Sequence, residues 1–102
     1  MMSATQVATH LLNTCSSLAT YKSYMFGSYV DSVGVDIDIL IIGEPGQTLN
    51  KLKCELAKAG ALLPLHILYM NPQEALETNF ITQQNCVSLI ELASGLNRPI
   101  AI

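Results

Sequence analysis

Residues 35–42 read Val-Asp-Ile-Asp-Ile-Leu-Ile-Ile: two aspartates separated by one apolar residue, then four apolar residues in a row. Alternation that gives way to a continuous apolar run is the pattern of a β-strand exposed at one end and buried on both faces farther along. Side chains two apart on a strand leave the same face, so Asp36 and Asp38 are predicted to bring two carboxylates to one place. Two like charges so close are either solvated or neutralised by a cation. A hard divalent ion such as Mg²⁺, or Mn²⁺ in its stead, suits oxygen donors of this kind, completed by phosphate oxygens and water.

Upstream, Tyr21–Phe26 holds three aromatic residues and a methionine, as a short strand does, and Gly27-Ser28 interrupts it. A glycine there lets backbone approach a ligand closely, and Ser28 offers a hydroxyl and an N–H at the start of a short helix. Before this strand, Val7, Leu11, Leu12, Cys15 and Leu18 recur on one helical face, predicting a helix from an N-cap at Ser3 to about Thr20. After residue 42, Gly43-Glu44-Pro45-Gly46 is turn chemistry. Leu49, Leu52, Leu56 and Ala59 then predict a second helix that closes at Gly60.

Residues 62–70, LLPLHILYM, are a third strand candidate, with Pro64 confined to its start or to an edge because it has no N–H to donate. Asn71-Pro72 is a good helix start, with Glu74 and Glu77 near the positive end, and this helix is expected to fade around residues 83–85. The run Cys86–Leu92 fits a strand or a helical turn equally, and residues from Ala93 read as a tail. The order predicts an α+β (mixed α/β) fold: one domain over residues 1–102, with a mixed sheet of about four strands flanked by helices.

Composition narrows the functional classes. Half of the 102 residues are apolar and 13% are charged, enough for one core in a chain short enough that a homo-oligomeric or other protein partner is expected. Five basic and eight acidic residues give a net charge of −3, which argues against gripping a long nucleic acid. No apolar run approaches the ~20 residues of a membrane span and the start lacks a basic leader, so a cytoplasmic protein with no membrane partner is expected. Cys15, Cys54 and Cys86 lack metal-ligand spacing and are odd in number, which predicts buried free thiols.

The stretch MFGSYVDSVGVDIDIL, residues 25–40, combines Gly-Ser after an aromatic-rich strand with Asp-x-Asp opening an apolar one. It resembles the signature of the polymerase-beta-like nucleotidyltransferase superfamily, and in particular the minimal nucleotidyltransferases, often encoded beside a helical HEPN-type protein. The likeness covers roughly residues 20–70. It implies that Gly27 and Ser28 hold a nucleoside triphosphate and that Asp36 and Asp38 are catalytic metal ligands. It further implies that a nucleoside monophosphate, AMP in the first instance, passes to a hydroxyl with release of pyrophosphate.

That family places a third carboxylate on a later strand; here the aligned residue is His66. A neutral imidazole accepts a proton but adds no negative charge and suits Mg²⁺ poorly. The connection from Ser28 to Asp36 is also short and lacks the arginine common after the Gly-Ser turn. Two readings therefore stand. In one the chain is a Mg²⁺-dependent transferase with His66 in the place of the third acid. In the other it is a degenerate nucleotidyltransferase-fold module that acts as the antitoxin or regulatory partner of a helical HEPN-type protein.

Each residue also has a plainer role: a solvated strand start for the aspartates, a helix-capping turn for Gly27-Ser28, a surface position for Asp31, and a partly buried strand histidine for His66. Tyr21, Tyr24 and Tyr29 are placed to stack on a base or, more ordinarily, to pack. Either Glu74 or Glu77 is a conceivable substitute for the missing acid, though neither spacing demands it.

Overall fold

The computed structural model describes residues 2–30 and 36–95. Asp31, Val35 and the tail beyond Gly95 lie outside the described residues. Four strands, β1 (Lys22–Phe26), β2 (Ile37–Ile42), β3 (Leu65–Met70) and β4 (Val87–Ser88), form one sheet in the order β3-β2-β1-β4. β2 runs antiparallel to β1 and parallel to β3, while β4 is antiparallel to β1. The mixed sheet flanked by helices is the α+β architecture that the element order predicts.

α1 (Ala4–Thr14) opens on a capping box, in which Ser3 Oγ accepts from Gln6 N–H and the Gln6 side chain accepts from Ser3 N–H. The helix predicted to reach Thr20 stops earlier. Cys15 leaves helical geometry, and a 3-10 helix, Ser16–Thr20, carries the chain into β1. The cause is tertiary: Glu55 of α2 (Gln47–Ala59) accepts the Ser17 N–H at 3.0 Å and the Ser16 hydroxyl at 3.1 Å, capping a new helical start that local periodicity does not reveal. These donors, the Ser17 N–H foremost, hold the Glu55 carboxyl below its ordinary value.

α2 ends at Gly60 as expected, although that glycine keeps right-handed backbone. β3 begins only at Leu65, and Pro64 just outside it accepts the Ile37 N–H through its carbonyl, at 2.9 Å. The helix after Asn71 is two pieces. α3 (Pro72–Thr78), capped by Asn71 and Glu74, breaks at the left-handed Asn79 before α4 (Phe80–Gln83). The ambiguous run 86–92 is strand and helix in turn: β4, then α5 (Leu89–Ser94), with Ser88 Oγ accepting from the Ile90 and Glu91 N–H groups. Ala93 and Ser94 thus belong to a helix rather than a tail.

Strand periodicity sorts side chains onto two faces. Met25, Ile37, Ile39 and Ile41 point to one face, where α1, α2 and α5 bury them to 1% exposure or less. Tyr24, Phe26, Leu40, Ile42 and Met70 point to the other, where α3 and α4 contribute Ala75, Phe80 and Ile81. Of the thiols, only Cys15 is buried. Cys86 is half-buried, with burial pushing its thiol up to about 11, and Cys54 is exposed on α2, contrary to the uniform burial expected. Among the described residues no helix is long and apolar enough to cross a membrane.

Candidate functional site

Register brings the candidate residues together. Asp38 pairs with Phe26 on β1 and with His66 on β3, so the residue just before Gly27 and the histidine flank it on either side. Asp36 lies two residues earlier, immediately before β2. The carboxylates sit where β2 begins and solvent reaches the sheet: the side chains of Asp36, Asp38 and His66 are 49%, 33% and 64% exposed. His66 Nε2 is 3.6 Å from Asp36 Oδ1, and its Nδ1 is 4.0 Å from Asp38 Oδ1. These are ion-pair separations, effective when the imidazole is protonated, and too long for hydrogen bonds.

Gly27 is required twice over. Its φ of +78° is left-handed, and a Cβ there would stand 2.6 Å from Asp38 Oδ2. The backbone of the Gly-Ser turn and the Asp38 carboxylate therefore share a space that a side chain would fill. From that turn the chain enters a 3-10 helix, Ser28–Val30, closed by Val30 N–H donating to Gly27 C=O at 3.3 Å. Ser28 lies exposed at its start, and buried Tyr29 and Val30 anchor it to the core.

The donor set can be tested against a metal. Two exposed carboxylates beside a glycine backbone suit a hard cation that keeps several waters and arrives with phosphate oxygens. They do not make a protein cage: each nitrogen of His66 faces a carboxylate, and among the described residues no group of three His, Cys, Asp or Glu side chains is arranged to hold a metal. Among the described residues Asp36 and Asp38 are the carboxylates at this strand end, and a hard cation held there would take its remaining ligands from water or a bound anion.

Other candidates fall elsewhere. Tyr29 is buried, its hydroxyl donating to Met2 C=O. Tyr21 and Tyr24 border a cleft of about 590 Å³ at the far end of β2, under α3 and α4, that contains none of Gly27, Ser28, Asp36, Asp38 or His66. Glu74 closes the α3 capping box and Glu77 accepts from Gln73. Their helix follows the end of β3, four residues and about 13 Å along the strand from His66, so neither supplies the missing acid.

Sequence reasoning overlooked the apolar border of the site. Phe26 stands beside Asp38 across the β1–β2 pair and meets Phe80 edge to face, while Leu68 lies two residues beyond His66 on the same sheet face. Phe26, two residues beyond Tyr24 on β1 and next to Gly27, was a usable signal, whereas Phe80 is brought in only by the α3–α4 break. Comparison of the chain with known protein families, with curated proteins and with solved structures gives no match.

Proposed function

We propose that this chain is a nucleotidyltransferase-type domain that binds a nucleoside triphosphate with Mg²⁺ and transfers its nucleoside monophosphate to a hydroxyl. The observation that supports this most is the meeting of Gly27, Asp36, Asp38 and His66 at one open strand end, with the glycine backbone packed against Asp38. Gly27 and Ser28 would seat the phosphates, the left-handed glycine letting backbone approach them closely. Asp36 and Asp38 would hold the cation, whose contribution is to neutralise phosphate charge. In the transfer, the acceptor oxygen bonds to the α-phosphorus, the bond to the pyrophosphate oxygen breaks, and a neutral His66 nitrogen takes the hydroxyl proton. Purified protein given labelled ATP, Mg²⁺ and candidate acceptors is expected to label one of them. Absence of transfer, together with unchanged triphosphate binding in Asp36→Ala and Asp38→Ala, would end this reading.

A second reading is favoured by one specific feature, the imidazole of His66 lying between both carboxylates where a third acid would stand. A degenerate nucleotidyltransferase that keeps the phosphate site and docks on a helical HEPN-type protein, or on a second copy of itself, accounts for it. Gain of transfer in His66→Asp supports degeneration, and loss of an existing activity in His66→Ala supports the working enzyme.

A further inference from the structure

The sheet face that carries Asp38 and His66 is only partly roofed. The α3–α4 pair covers Leu40 and Ile42, and the ring of Phe80 at the start of α4 meets Phe26 edge to face, with centroids 5.0 Å apart and planes at 89°. Both rings are half-buried, and Phe26 is the register partner of Asp38. On the other flank, Leu68 lies two residues beyond His66 on β3, on the same face and about 7 Å farther along. It is 38% exposed, unlike the adjacent Leu40, which is fully buried. Asp38 thus has Phe26 beside it on one flank, backed by Phe80, and Leu68 diagonally beyond on the other, three apolar side chains that carry no hydrogen-bonding group.

We propose that Leu68, Phe26 and Phe80 form the shelf on which the base of the bound nucleotide lies, and that this shelf favours purines over pyrimidines without separating adenine from guanine. The inference rests on the triphosphate reading given above. A triphosphate held at the open end of β2 leaves its nucleoside two courses, outward past Asp36 into solvent or back along the sheet face. The second course covers the exposed part of Leu68 and the ring edges with a flat apolar surface, which burial and stacking both favour. Since none of these three side chains carries a hydrogen-bonding group, the discrimination they exert comes from area, and the two purines present nearly equal areas.

Calorimetric titration of the whole chain in Mg²⁺ with ATP, GTP, CTP and tripolyphosphate tests this directly. ATP and GTP are expected to bind within about twofold of each other and about tenfold more tightly than tripolyphosphate, with CTP between. Leu68→Ala should raise Kd for ATP about three- to fivefold and leave that for tripolyphosphate unchanged. Phe80→Leu, which keeps apolar volume but removes the ring, should act in the same direction, and retained tripolyphosphate binding certifies that each variant is folded. Equal affinity for ATP and tripolyphosphate overturns the shelf and leaves the phosphate site standing. A strong preference for ATP over GTP, or CTP as tight as ATP, overturns selection by area. Failure of every ligand to bind overturns the phosphate site and the shelf together.

Discussion

The two faces of β2 make an instructive pair. Ile37, Ile39 and Ile41 face α1, α2 and α5 and are all but completely removed from water. Asp38, Leu40 and Ile42 face the other way, where α3 and α4 roof only the last two and leave Asp38 a third exposed. Thus one strand supplies the centre of the core through one set of alternate residues and the candidate site through the other. Stability and chemistry are consequently separable: substitutions at Ile37, Ile39 and Ile41 should act on folding, and those at Asp38 on binding.

The largest effect on stability is expected in the core. Ile39→Ala leaves a cavity among α1, α2 and the sheet and should cost about 2–5 kcal/mol in urea unfolding. If it costs no more than a surface change, the contrast between the faces is broken. Gly27→Ala comes next, at about 1–2 kcal/mol for left-handed backbone. Because the new Cβ must displace the Asp38 carboxylate, it should also abolish triphosphate binding. A destabilised Gly27→Ala that binds normally would show that the turn is structural only.

Glu55→Gln sharpens the comparison from the core side through pH. The Glu55 carboxyl is held below its ordinary value of 4.5, so its ionised form stabilises the fold above that pH. That stabilisation is lost as pH falls through the lower folded-state value. The variant should therefore be less stable than the parent at neutral pH, and the difference should shrink on acidification; a pH-independent difference would exclude charge as the cause. The smallest effect on folding belongs to Asp38→Asn, expected to leave stability within about 0.5 kcal/mol while removing Mg²⁺-dependent triphosphate binding. Thermal unfolding and calorimetry on the same sample separate the two outcomes.

Local pattern accounts for much of this molecule. β2 was legible because alternation and a run of isoleucines leave few other conformations, and α1, α2 and α3 because their N-caps, C-terminal glycine and apolar spacing agree. The candidate site was legible to the extent that Gly27-Ser28 and Asp36-x-Asp38 are local motifs. What escaped is non-local. The early end of α1 depends on a carboxylate 38 residues away from Ser17. The split of the helix after Asn71 depends on Asn79 taking left-handed backbone so that Phe80 can pack on Phe26. The fate of Tyr21, Tyr24 and Tyr29 was equally closed to periodicity, because their neighbours belong to other elements.

Residue types and their spacing were enough to dictate the α+β class, the most apolar strand and the placing of two carboxylates at its start. The family likeness set His66 with them, but what brings it there is the parallel register of β2 on β3, which no local pattern encodes. Tertiary structure also decided that one face of β2 is sealed and the other left partly open. The physical reason is range: caps, turns and alternation act within a few residues of chain, whereas register and roofing are set by the packing of elements distant in sequence.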